Sequence, residues 1–162
     1  MKAFELINKE LKDTYLWIVG DGPLKNELML FVKKNCLEKN VTFLGWQENL
    51  DEYFSEADIF ALSSRREGFP YALIEAISFG LPVVCTDTQY GPKEILEDGK
   101  YGFLVPMYSY IQIKEAILEL LKKPEVYTKF SKLALERSRS FTTDRMTKQY
   151  LDEIDKILKG NS

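Results

Sequence analysis

Apolar positions along this chain of 162 residues switch repeatedly between a helical period and short unbroken runs. The segment FELINKELKD repeats its apolar residues at helical spacing, and TYLWIVG is a short apolar strand that ends in the turn GDGP. From Pro23 the helical period returns, with Leu24, Leu28, Phe31 and Val32 on one face. NVTFLGW reads as the next strand, ENLDEYFSEA as a short helix and DIFAL as a third strand. The polar loop SSRREGF then leads into a helix from Pro70 to about Gly80. LPVVCT is a fourth strand, DTQYG its loop, PKEILED a short helix, and GFLVP a fifth, weaker strand.

Three helices complete the pattern. Ile113, Ile117, Leu120 and Leu121 line the first, and Val126, Phe130, Leu133 and Arg137 mark the second, after Pro124. Met146, Tyr150, Ile154 and Ile157 line the last, over 141–162, with Thr142 as its N-cap. Strands that are continuously apolar and alternate with helices predict an α/β fold: a Rossmann-like parallel sheet of about five strands, covered by helices on both faces. The length suits one domain, 1–162, able to bury about two thirds of its unfolded surface. In such sheets ligands bind beyond the carboxyl ends of the strands. The loops GDGP, GWQEN, SSRREGFP and DTQYG are therefore the ones to inspect.

Composition narrows the chemistry. A net charge of -3 without blocks of like charge argues against nucleic acid or an anionic membrane as a bulk partner. No apolar run approaches the roughly 20 residues of a bilayer span, and MKAFELINKE lacks a secretory core, so a soluble, cytoplasmic chain is expected. Histidine is absent, which removes His-based triads, His acid-base work and most zinc chemistry. Cys36 and Cys85 both stand where apolar packing is expected, as buried reduced thiols.

The stretch REGFPYALIEA places Glu67 and Glu75 on either side of a Gly-Phe-Pro turn that opens a helix. Pro70 and Tyr71 open that helix, whose first N–H groups lack internal partners and carry the positive end of the helix dipole, so an anion fits there. Gly68 lets a ligand approach the backbone, and a diphosphate is a suitable occupant. Glu75 has apolar neighbours, where a bare carboxylate is expensive to bury, so it is expected to need donors such as the two hydroxyls of a ribose. Taken alone, both glutamates are more readily read as solvated charges. Trp46 reads equally well as packing or as a base neighbour, and Arg65 and Arg66 as phosphate ligands or surface ion pairs.

The stretch REGFPYALIEAISFGLPVVCTDTQYGPKEILEDGKYGFLVP, after WIVGDGPLKNEL, VTFLGW and ADIFALSSR, resembles the nucleotide-sugar-binding domain of the group 1 retaining glycosyltransferases, which have two Rossmann-like domains in the GT-B arrangement. That resemblance implies metal-independent transfer from a nucleotide-sugar, a UDP-sugar in the similar members that build bacterial surface polysaccharides, with no cofactor. It makes Glu67 the catalytic-site residue that contacts the donor sugar, with Gly68, Phe69 and Pro70 shaping the loop. Backbone at Tyr71 and Ala72 would face the diphosphate, Glu75 would hold the ribose, and Gly20, Trp46 and Gln47 would lie about the nucleotide. Tyr90 and Gly91 are similar to a family loop near the sugar.

The resemblance also implies parts not seen here. Family domains begin with a further strand carrying an Arg and a Lys for the diphosphate, and are preceded by an acceptor-binding domain that the last helix braces. The chain thus reads as a fragment, expected to be inactive alone. The strands LWIVG and DIFAL would close up or leave a gap, and the apolar side of 146–157 would be exposed or repacked, with self-association through the sheet seam or last helix as a consequence. Two other readings stand beside it: a nucleotide-sugar epimerase of related fold, disfavoured by the missing histidines, and a noncatalytic nucleotide- or partner-binding module.

Overall fold

The structure, a computed structural model, describes residues 1–160; positions 161–162 of the expected last helix lie outside the described residues. The elements run α1 (Lys2–Glu10), β1 (Leu16–Val19), α2 (Lys25–Lys34), β2 (Val41–Gly45), α3 (Asp51–Glu56), β3 (Phe60–Leu62), α4 (Tyr71–Ser78), β4 (Val83–Thr86), α5 (Pro92–Ile95), β5 (Phe103–Val105), α6 (Tyr110–Lys122), α7 (Pro124–Ser138) and α8 (Thr143–Gly160). All five expected strands form, and every pairing is parallel.

The strands divide into a two-stranded sheet, β1-β2, and a three-stranded sheet, β3-β4-β5. Of the two outcomes expected for LWIVG and DIFAL, the gap is the one observed. Backbone direction shows which edges are open. The Leu16 N–H donates to Asn40 O at 2.8 Å and the Gly20 N–H to Gly45 O at 2.6 Å, so Trp17 and Val19 turn their own N–H and C=O groups away from β2. Those two residues are 38% and 42% exposed. On β3 the Phe60 N–H donates to Pro82 O at 3.1 Å, which turns exposed Ala61 away from β4.

Helices hold the two sheets together. α1 packs on α6, where the Glu10 carboxylate accepts from Lys114 Nζ at 3.0 Å and Lys122 Nζ at 2.8 Å. Lys2 lies 5.6 Å over the Tyr110 ring, and Trp17 of β1 meets Tyr53 of α3 edge-on at 5.7 Å.

β4 is buried along its whole length, as its unbroken apolar run requires. Its alternate side chains serve two layers. Val83 and Cys85 pack with Leu73, Ala76 and Ile77 of α4, Ile95 of α5 and Ala134 of α7, whereas Val84 packs with Ala116 and Leu120 of α6. A smaller cluster of Phe4, Val32, Leu37 and Val41 serves the β1-β2 sheet.

Several local expectations are corrected. α2 starts at Lys25 rather than Pro23, because the Lys25 N–H closes a turn on Gly22 O at 3.1 Å first. Cys36 is exposed: with φ at +55° it reverses the chain after α2, and Leu37 takes the buried position instead. On α6 Leu118 is buried as well as Leu120, and Leu121 faces solvent. The Thr142 hydroxyl caps α8, accepting from the Arg145 N–H at 3.4 Å. Tyr150, Ile154 and Ile157 of α8 are exposed, and no described helix is long and apolar enough to cross a membrane.

Candidate functional site

Within each sheet the carboxyl ends of the parallel strands form one rim, and the expected residues fall on these rims in two groups. Gly20, Trp46 and Gln47 follow β1 and β2. The bond from Gly20 N–H to Gly45 O joins their loops, and Gln47 Nε2 donates back to Leu44 O at 2.8 Å. Trp46 is 78% exposed, so its packing reading is not met. In the neighbouring turn, hydrogen bonds from Lys25 and from the Gly22 N–H pull the Asp21 carboxyl below its ordinary value.

Glu67 to Ala72 form the second group, after β3 and into α4. Pro70 stands at the N-cap with φ -71° and ψ 101°; no side chain caps this end, and no acidic residue lies in its first turn. The positive end of the helix dipole is left without a counter-charge of its own. Pro70 is buried, Glu67 half-buried, and Gly68 and Tyr71 exposed. A Cβ built on Gly68 would meet nothing within 4 Å, and its φ is an ordinary one, so neither packing nor backbone strain calls for glycine there.

Glu67 is held toward the carboxyl end of β4. The Thr86 hydroxyl donates to Ser64 O at 2.5 Å, tying the start of the loop to that strand. The Cys85 thiol is pushed up to about 12, first by burial, with the Glu67 charge adding to the rise and a hydrogen bond at Leu62 opposing it. Cys85 therefore stays protonated and acts as a core side chain.

Glu75 departs from expectation. It lies one turn inside α4 but is exposed, because its apolar sequence neighbours turn inward while it does not. Among the described residues neither glutamate has an ion-pair partner, and neither Arg65 nor Arg66 forms a surface pair. Both carboxylates and both guanidinium groups are free to meet a ligand.

Sequence reasoning missed how tightly the β4–α5 loop presses on this one. Gly91 opens α5 with φ at +85°, and a Cβ there would lie 2.5 Å from Gly68 O and 2.6 Å from Pro70 Cδ. The Gly-Pro pair at 91–92 was the available signal. Beside Gly91 a cavity of about 620 Å³ opens between Gln89, Tyr90, Lys93 and Glu94. A second, apolar one of about 580 Å³ lies between α2 and β2, away from the glutamates.

Known proteins share this fold. The chain is 28% identical over 159 residues to a poly(glycerol-phosphate) alpha-glucosyltransferase of Bacillus subtilis, covering 98% of this chain and 24% of that one. It superposes with a TM-score of 0.85 on a mutant of S. aureus TarM in complex with fondaparinux, alpha-GlcNAc-glycerol and UDP, at 25% identity, over 93% of this chain and 31% of TarM. The pneumococcal O-GlcNAc transferase GtfA, in complex with UDP and GlcNAc, gives 0.83 at 26% identity, over 97% of this chain and 32% of GtfA. The chain thus spans less than a third of the length of each of these three proteins. The profile of the family described as glycosyl transferases group 1 matches residues 1–137. With that match running through both sheets and both glutamates, the chain belongs to the glycosyl transferases group 1 family, a family of enzymes.

Proposed function

We propose that this chain is the donor-binding domain of a metal-independent, retaining glycosyltransferase that moves a sugar from a UDP-sugar to a saccharide or lipid-linked acceptor in bacterial surface polysaccharide synthesis. One observation carries the reading: the half-buried Glu67 beside an uncapped helix N-terminus, reached across an open glycine. The N–H groups of Tyr71 and Ala72 would receive the diphosphate, Glu75 the ribose hydroxyls, and Glu67 the sugar hydroxyls. Trp46 and Gln47 would lie toward the base.

As the sugar–phosphate bond breaks, the bonding pair stays with the diphosphate. Its growing negative charge then meets the α4 dipole, with Arg65 and Arg66 as nearby cations. The family match, and the UDP in the TarM and GtfA complexes, support the donor class. The work would be done in the cytoplasm, at the inner face of the membrane when the acceptor is lipid-linked. An acceptor-binding domain would be the necessary partner.

Calorimetric titration with UDP, GDP and UDP-glucose, repeated on Glu75→Ala, tests this reading. Binding selective for UDP that disappears in the variant is the expected result. Binding indifferent to both Glu75→Ala and Glu67→Ala would sink it and favour a noncatalytic module.

A further inference from the structure

We infer that Arg137 and Phe141 form a clasp that positions the Glu67–Pro70 loop, making them positioning residues for the donor sugar; the sugar assignment rests on the function proposed above. Arg137 lies in the last turn of α7 with its side chain only 14% exposed. Its Nε donates to Ile95 O at 2.6 Å, Nη2 to Glu94 O at 2.9 Å, and Nη1 to Glu97 Oε1 at 2.6 Å. These carbonyls close α5, whose first turn begins at Gly91, in contact with Gly68 and Pro70. Through α5, Arg137 thus holds one wall of the loop.

The same guanidinium lies 4.8 Å over the ring of Phe141, in the elbow between α7 and α8. Phe141 in turn meets Phe69 edge-on at 6.1 Å, and Phe69 meets Tyr71 at 6.0 Å. That is the second wall. One planar fork therefore joins two contacts that grip the loop at Gly68 and at Phe69. A lysine offers neither the fork nor the stack, so it cannot hold both. Capping α5 alone would account for the carbonyl bonds, but not for the ring that bridges the guanidinium to Phe69.

The test combines amide relaxation with calorimetry on the full chain, for wild type, Phe141→Ala, Phe141→Tyr and Arg137→Lys, with UDP and UDP-glucose as probes. Phe141→Leu, which keeps apolar volume without a ring edge, replaces Phe141→Ala if the latter unfolds. In the wild type, Gly68 and Phe69 are expected near the rigid-backbone order parameter of about 0.85, falling below about 0.6 in Phe141→Ala and Arg137→Lys. Residues 83–86 should not change, and Phe141→Tyr should restore the loop. UDP-glucose should bind about tenfold more weakly in the two loosened variants, a loss of about 1.4 kcal/mol, while UDP affinity holds. Unchanged order parameters at Gly68 and Phe69 would overturn the clasp. A loosened loop with both ligands weakened alike would overturn the sugar assignment. A loosened loop in a chain that binds neither ligand upholds the clasp and overturns the donor reading instead.

Discussion

Replacing Gly91 by alanine loads a methyl group onto the tightest contact of the site. Two costs add. Gly91 has φ +85° and ψ -80°, where an L side chain pays at least the penalty of left-handed backbone, about 1–2 kcal/mol. The new Cβ would stand 2.5 Å from Gly68 O, a backbone atom, and 2.6 Å from Pro70 Cδ, so a loop has to move; overpacking of this kind costs about 1–3 kcal/mol. Alanine recovers about 0.4–1 kcal/mol by restricting the unfolded chain. The net expectation is a loss of about 1–5 kcal/mol. In urea, followed by far-UV circular dichroism, a slope of about 2 kcal/mol/M turns that into a midpoint about 0.5–2.3 M lower. A midpoint within about 0.3 M of wild type would refute the contact between the two loops.

Gly68→Ala supplies the contrast: its Cβ enters open space at an ordinary φ, so stability should stay within about 0.5 kcal/mol while UDP-glucose affinity falls, as calorimetry would show. The Glu10 carboxyl is held below its ordinary value of 4.5 by hydrogen bonds from Lys122 and Lys114. A lowered folded-state pKa contributes stability that is present above that ordinary value and lost as pH falls through the folded one. Melting scans should therefore show Glu10→Gln less stable than wild type at neutral pH, the gap closing in acid. Iodoacetamide at pH 8 should modify exposed Cys36 in the folded chain, and Cys85, buried and pushed up to about 12, only after unfolding; rapid double labelling would contradict the β4 packing.

β4 was legible because a fully covered parallel strand must be apolar on both sides, and LPVVCT could satisfy nothing else. Glu67, Gly68 and Pro70 were legible as a helix entrance for the same local reason. Residues whose roles depend on distant partners were not. Arg137 reads as one position of an apolar stripe because its stem is spaced like one, yet its donors are spent on Glu94, Ile95 and Glu97, some forty positions earlier. Glu75 was misplaced by the opposite error: apolar neighbours in sequence say nothing about which way a helical residue turns. Cys36 needed one backbone angle that no local pattern marks.

The seam between the sheets bears on how the chain comes apart. The β1-β2 side rests on four buried apolar residues, whereas the cluster beneath β3-β4 has eleven. Across the seam α1 packs on α6, while the Glu10 bridges and the Trp17–Tyr53 contact are partly exposed. Both tryptophans of the chain, Trp17 and Trp46, belong to the smaller side. Tryptophan fluorescence therefore reports mainly that side, while circular dichroism is weighted toward the helices of the larger one. The two signals should part company in denaturant, fluorescence moving first, as expected of neighbouring cooperative units of unequal stability.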